Sequence, residues 1–471
     1  MRQRLCLHGI DIKHQAQLLG IVKKLVPACN ITYKVKEKYF SDNDMYKCRV
    51  ARLEPKGQQG YRVLCSWGVL VVSDRLLNIA DVTVEFDARR EQVLQTVESI
   101  VRSLLSGKQR FVLDEPDLSR RLDLLRGSYY LDRLELYAEG AAESALVCHV
   151  PWQLYSVNKL WEQLLTSEGA PRSLWRQLRV KLRRLRSVLA LVKPLVPAGE
   201  LKGWQGLLKA RAQSLSSVRE CDVLLSNCAR LRAYEQYGAD EAGAAKTKAK
   251  DVLVQQDLAA SYALQQTHQQ NAMQEQSVQA TPKLVQLLES MRSIEQNKVR
   301  STLKLNELTL ELARLELFLR RESAAHGLTG KWAATSLKKF FAQRLAGWAD
   351  KLLILPQGEP DVHDVEQLHR VRIKLKRFRY ALQSVPELEA SSQLLRSLKY
   401  LQDMLGLIHD DYVNEQYLQT LVEQHAELPE LACEIALLRG WEQGRADAAL
   451  QQLPRQWEEF KTLLTEWREG L

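Results

Sequence analysis

The chain of 471 residues contains no apolar run close to the roughly 20 residues that a membrane helix needs. Its opening stretch, MRQRLCLHGIDIKHQ, meets charge before an apolar segment can form, so no secretory leader is expected there. The eight cysteines (Cys6, Cys29, Cys48, Cys65, Cys148, Cys221, Cys228, Cys433) are scattered without a C-x-x-C pair, which argues against a disulfide framework or a zinc site. They read as ordinary thiols of a reducing cytoplasm. There is no G-x-G-x-x-G, no Walker A loop and no nucleophile elbow, so the common dinucleotide, P-loop and α/β-hydrolase chemistries have no anchor. Acidic residues are missing from two particular segments, 173–192 and 369–384.

What is abundant is apolar and basic. Hydrophobic residues make up 45% of the chain, enough for a large buried core, and at about 100–200 residues per domain the length allows two to four domains. Lys and Arg number 67 against 57 Asp and Glu, a formal charge of +10. Such an excess points to a polyanionic partner: nucleic acid, polyphosphate or an anionic surface.

Residues 1–150 mix two periods. Strands are predicted at Ile31 to Val35, Tyr61 to Trp67, Val69 to Ser73 and Val82 to Phe86, and helices at Gln15 to Val26 and Arg90 to Leu105. This part reads as a small α+β domain. From about Trp152 the pattern becomes helical, with helices at Ser156 to Leu165, Ser173 to Val192, Leu201 to Leu225, Glu307 to Ser323, Ala333 to Leu355, Asp364 to Ser384 and Ser391 to Glu423. The helical part, 151–471, divides into halves at about 151–233 and 283–471. A Gln/Ala-rich connector, 234–282, separates them as either a solvated helix or a mobile linker.

The helical part repeats. WRQLRVKLRRLRSVLA, Trp175 to Ala190, aligns without a gap with LHRVRIKLKRFRYALQ, Leu368 to Gln383, and LSSVRECDV from Leu215 aligns with LGLIHDDYV from Leu405. A duplicated helical unit with pseudo-two-fold symmetry explains this economically. At 100° per residue, Arg176, Arg179, Arg183 and Arg186 form one stripe beside Leu174, Leu178, Leu182, Leu185 and Leu189. In the second repeat His369, Arg372, Lys376 and Arg379 form the stripe, beside Val371, Leu375, Phe378 and Leu382. Lys181, Arg184, Lys374 and Arg377 lie further round. Like charges one turn apart cost a few tenths of a kcal/mol per pair. Two uncompensated rows therefore cost stability unless an anion neutralises them. Most charge runs are simply solvated faces, but surface helices intersperse Glu with Lys, and here the acids are absent twice at matching positions. Nucleic-acid binding is a second reading, although base readout would want a known recognition frame. A linear inorganic polyanion gripped by guanidinium forks, in a groove between the two rows, is the third.

These residues resemble a known family. H-x-x-R-x-x-x-K-R-x-R-Y, in His369, Arg372, Lys376, Arg377, Arg379 and Tyr380, is similar to the second-half signature of the conserved-histidine α-helical domain, CHAD. L-x-x-L-Q-D-x-L-G, in Leu398, Leu401, Gln402, Asp403, Leu405 and Gly406, continues it, as does Asp410. R-V-x-x-R-R-L-R-S, from Arg179 through Arg183, Arg184 and Arg186 to Ser187, resembles the first half, with Arg219 and Asp222 in the turn that follows. The first-half histidine position holds Arg176, and Glu220 replaces the first acid of R-D-x-D. Arg176 keeps a cation on the stripe, so anion binding survives the change while a two-histidine metal site does not. The resemblance implies two pseudo-symmetric four-helix bundles around a basic channel, inorganic polyphosphate as partner and an association with polyphosphate granules. On this basis Arg176, Arg179, Arg183, Arg184, Arg186, Arg219, His369, Arg372, Lys376, Arg377, Arg379 and Tyr380 are the expected polyphosphate ligands. Asp222 and Asp410 are the expected orienting carboxylates.

Such domains often sit beside a triphosphate-tunnel hydrolase, which opens with an E-x-E-x-K strand. Here the nearest match, Lys34-Val35-Lys36-Glu37-Lys38, carries the wrong charges, and residues 1–150 show no acidic metal cluster. The expectation is therefore a cytoplasmic, non-enzymatic binding protein without cofactor, metal or membrane, whose N-terminal domain has a role and partner the sequence does not name. The alternatives are a phosphohydrolase using a diverged N-terminal domain, or an RNA-binding protein. His369, among cations, is expected to be a phosphate donor or packing group with a depressed pKa. Trp152, Trp161, Trp175 and Trp204 read as core or lid residues rather than base-stacking platforms. For His409, Asp410 and Asp411, orientation of a stripe cation by Asp410 is the simpler reading than acid–base catalysis, and Asp222 is expected to serve Arg179 or Arg183 likewise.

Overall fold

The structure is a computed structural model that describes residues 3–114, 141–241 and 282–471, apart from positions 11, 13, 27, 42–43, 58–59, 73–74, 143, 148, 168–169, 303–304, 330–331, 333–334, 355–363, 386–387 and 389. Most of the predicted connector, 242–281, lies outside the described residues. The chain forms two compact units that interleave along the sequence. The first comprises Met1–Ser214, Val299–Gly347 and Tyr380–Glu389, and the second Leu215–Lys298, Trp348–Arg379 and Ala390–Leu471.

The first unit opens with a six-stranded antiparallel sheet of β1 (Gln3–Gly9), β2 (Cys29–Ser41), β3 (Asp44–Pro55), β4 (Tyr61–Val72), β5 (Arg75–Phe86) and β6 (Phe111–Asp114), in the order β2-β3-β4-β5-β1-β6. Helix α1 (Gln15–Leu25) lies against β4 and α2 (Glu91–Ser106) against β5. β5 is buried on both faces: Val82, Val84 and Phe86 point to one, and Asp81, Thr83 and Glu85 to the other. The alternate residues are polar: Glu85 accepts from Arg4 Nε at 2.8 Å and also from Arg62, and Asp81 meets His8 Nδ1 at 2.7 Å. β4 runs unbroken where the sequence suggested two strands divided at Gly68. A Cβ on Gly68 would fall 2.6 Å from Cys48 Cα. Glycine there admits the close approach of β3 rather than ending the strand.

Helices of the same unit follow, the second and the last of them packing against β6. They are α3 (Ser144–Val147), α4 (His149–Thr166), α5 (Arg172–Leu191), α6 (Ala198–Gln213) and, after the second unit's first helices, α9 (Leu305–Thr329). Asn158 Nδ2 donates to the Leu113 carbonyl of β6 at 3.0 Å, and Thr309 Oγ1 donates to Asn158 Oδ1 at 2.8 Å. Tyr155 donates to the wholly buried Glu316 at 2.7 Å, and Arg320 reaches both Glu316 and Gln3 of β1. These buried polar pairs join sheet and helices into one body.

The second unit holds α7 (Ser216–Glu241), α8 (Lys283–Thr302, as far as Lys298), most of α11 (Val365–Leu382), α12 (Ser392–Gln424) and α13 (Pro429–Glu469). Between them in sequence, α10 (Leu337–Leu353) carries residues of both units. One apolar cluster joins Leu224, Leu225 and Cys228 of α7 to Leu284 and Leu288 of α8, Leu418 and Leu421 of α12, and Leu431, Ile435 and Leu438 of α13. The predicted single helix Leu201 to Leu225 is two helices. Ser214 ends α6, its hydroxyl donating to the Arg211 carbonyl at 2.8 Å.

Candidate functional site

On α5 the apolar residues Leu174, Trp175, Leu178, Leu182, Leu185, Val188 and Leu189 are buried, which turns the basic residues to the remaining face. Arg176 is exposed, Arg183, Arg184 and Arg186 are half-buried, and Arg179 is 9% exposed. Among the described residues, no carboxylate pairs with Arg176, Arg183, Arg184 or Arg186. The recorded polar partner of Arg184 is neutral, the Gln383 Oε1 at 3.4 Å. The crowding shows in the titration of this face. Burial, with Arg184 alongside, pushes Lys181 down to about 8, and burial with Arg183 nearby lowers Arg186. Arg344, which sequence reading passed over, donates to the Leu191 carbonyl at 3.0 Å and the Ala190 carbonyl at 3.3 Å and so closes the C-terminus of α5.

In the second unit α11 buries Leu368, Val371, Leu375 and Phe378, and its basic residues meet partners from neighbouring helices. Arg372 is 5% exposed, and its Nη2 lies 3.4 Å from Asp410 Oδ1. The same oxygen is 3.4 Å from Arg219 Nη2, so one carboxylate on α12 serves guanidinium groups from α7 and α11. Gly406, one turn before Asp410, lies beside the guanidinium: a Cβ there would be in ordinary contact, 3.7 Å from Arg372 Nη2. Arg377 rests on Trp348, 4.7 Å from the ring centroid. Arg379 is half-buried and Tyr380 buried. Asp222 accepts from Arg292 Nε at 2.6 Å. That arginine lies on α8, outside both aligned repeats, so the repeat comparison gave no signal for it.

His369 is not solitary. Its ring stacks on His409 with centroids 4.0 Å apart and planes 35° apart. Both Nδ1 atoms are buried without a hydrogen-bond partner among the described residues. Burial first, then Arg372 and Lys376, lowers His369, while Asp410 pulls the other way. Burial, Arg372 and His369 push His409 down to about 4. Both shifts favour neutral rings at physiological pH, beside Arg372 and Lys376.

The geometry is that of two guanidinium groups held on one carboxylate beside a pair of imidazoles. Trp161 and Trp175, at 2% and 1% exposure, are core residues. Among the described residues no group of three or more His, Cys, Asp or Glu could hold a metal ion. The family model described as the CHAD domain matches residues 157–419, more than half of the chain and both basic helices. The chain belongs to the CHAD domain family. Among solved structures, the CHAD domain from the plant Ricinus communis matches with 22% identity over 70% of this chain and 93% of its own, at a TM-score of 0.45. PptA from Streptomyces chartreusis matches with 14% identity over 68% of this chain and 100% of its own, at a TM-score of 0.40. The comparison with curated proteins returned no match. The CHAD match begins within α4 and ends within α12, so the sheet falls outside it. No helix among the described residues is long and apolar enough to cross a membrane.

Proposed function

We propose that this CHAD protein binds inorganic polyphosphate, each basic helix gripping a run of phosphates, and that it does so in the cytoplasm at polyphosphate granules without catalysing a reaction. The observation that carries the reading is the pair of acid-free basic segments in matching phase, 173–192 and 369–384, the first leaving Arg176, Arg183, Arg184 and Arg186 without a carboxylate among the described residues. A polyanion supplies the missing countercharge. Planar guanidinium forks suit phosphate oxygens, and a linear polymer can satisfy a row of them at one-turn spacing.

Competition among long-chain polyphosphate, RNA and heparin for the purified protein tests this. Polyphosphate is expected to win at moderate salt, with log K falling by about 0.7–0.9 per neutralised phosphate for each unit of log salt, and by several units in total. Equal displacement by heparin and RNA would reduce the stripes to generic basicity. Metal-dependent phosphate release from tripolyphosphate would instead favour a hydrolase.

A further inference from the structure

The second unit's anion site has two imidazoles where a simple cation row needs none. The rings of His369 and His409 lie 4.0 Å apart at a 35° tilt, with Nδ1 atoms enclosed and unsatisfied. The charged groups facing them are Arg372 and Lys376 from α11 and Asp410 from α12, and Arg219 of α7 reaches the same carboxylate. In the free protein three cations oppose one carboxylate here, so a proton on either ring adds to an existing excess of positive charge. A phosphate group seated among Arg219, Arg372 and Lys376 reverses that balance. It brings negative charge to the rings and offers an oxygen to an N–H that otherwise lacks an acceptor.

We propose that the stacked His369–His409 pair makes anion capture at this site proton-linked: a bound phosphate draws one proton onto the pair, and binding tightens as the medium acidifies. The proposal rests on the polyphosphate reading and adds a regulation to it. One proton is expected rather than two, because rings this close repel when both are charged, and the pair titrates as a unit. The repeat comparison points the same way. The positions aligned with His369 and His409 hold Arg176 and Arg219, whose charges are permanent, so the titratable pair belongs to the second repeat alone.

Isothermal titration of the full chain with long-chain polyphosphate, in two buffers of different ionisation enthalpy, reads the protons directly. Internal phosphates of a long chain are strong acids, so the ligand contributes little. At about pH 6 Lys181 is already charged, and the uptake reports on imidazole. The expected result is uptake of up to ~1 proton per occupied site, with affinity rising as much as ~10-fold per pH unit of acidification. The double variant His369→Gln/His409→Gln should bind more weakly, and the binding that remains, read at saturating polyphosphate, should carry no such uptake. Saturable binding with no proton uptake by the wild type overturns the linkage and leaves the polyphosphate reading standing. Uptake undiminished in the double variant also overturns it, since the proton then goes elsewhere. If polyphosphate fails to bind at any pH, the reading itself falls and takes the linkage with it. The wild-type buffer comparison needs no variant, so a misfolded double variant does not blunt the test.

Discussion

Methionine at Arg372 and methionine at Arg183 should change stability in opposite directions, although both arginines sit on a basic stripe. Arg372 is buried at 5% exposure, with Asp410 3.4 Å from its Nη2. Methionine retains the unbranched stem and removes the charge, so little cavity opens. A hydrogen bond to a charged group contributes about 1.5–3 kcal/mol. This one is long, and Asp410 keeps Arg219 at 3.4 Å, which places the loss at the low end, about 1–2 kcal/mol. At about 2–4 °C per kcal/mol for a cooperative unit of 150–250 residues, the melting temperature falls by ~2–8 °C. Arg183 has no carboxylate partner among the described residues and helps to lower Arg186. Removing it relieves a few tenths of a kcal/mol per like-charge pair, so melting holds or rises by about 1 °C. Both variants should lose polyphosphate affinity, each by about 10- to 100-fold if a charge-assisted bond disappears. Scanning calorimetry at fixed salt and neutral pH, paired with polyphosphate titration, checks all four outcomes. Arg372→Met melting at or above wild type would refute the claim that Asp410 anchors it. A loss of several degrees in Arg183→Met would refute the uncompensated stripe.

Two pH-dependent effects follow from buried groups. Lys181 titrates at about 8 when folded against an ordinary 10.5, so the folded state carries a charging penalty that is complete below pH 8 and gone above pH 10.5. Lys181→Met should therefore melt higher than wild type at neutral pH, with the two curves converging as pH climbs through that window. Glu442, held by Asn414 Nδ2 at 3.0 Å and by Asn227, is pushed up to about 7 from 4.5, chiefly by burial. Its penalty is absent below pH 4.5 and complete above pH 7. Glu442→Gln keeps an acceptor for the asparagines and should stabilise the protein at pH 8, with no gain near pH 4.5, as read by urea midpoints.

The parts legible in the sequence were those with a long, single period. α5 and α11 appear within one or two residues of their predicted bounds because their apolar faces repeat at helical spacing through more than four turns. α1 and α2 were equally clear. The strands were less so: β1, β3 and β6 went unseen, and β4 was cut in two. β3 alternates Lys47 and Arg49 with Tyr46, Cys48 and Val50, so its polar members looked like a charged loop until pairing on both sides fixed the register. α13 also escaped, because Pro454 stands inside it. Which helices share a core is a long-range fact. α7 lies in the first half of the sequence yet packs with α8, α12 and α13, and no local pattern encodes that.

The site was legible in its charges and hidden in their partners. Periodicity named Arg372, Lys376 and His369 without showing that Arg372 would be buried or that His409 would lie on His369. The aligned helices then differ in what holds their cations, and the cause lies outside the aligned segment. In the second unit a carboxylate from α12 already occupies two guanidinium groups, so an incoming phosphate must compete with Asp410 and gains less per contact than the charge count suggests. On α5 the recorded partner of Arg184 is a neutral amide, and Arg183 and Arg186 repel one another. An anion there displaces nothing and relieves a standing repulsion. By this reasoning α5 supplies attraction that is nearly independent of pH, and α11 with α12 supplies capture that is preorganised, partly self-neutralised and open to protons. On the proposed function, the repeat keeps the positions of the charges while separating fixed attraction from regulated grip.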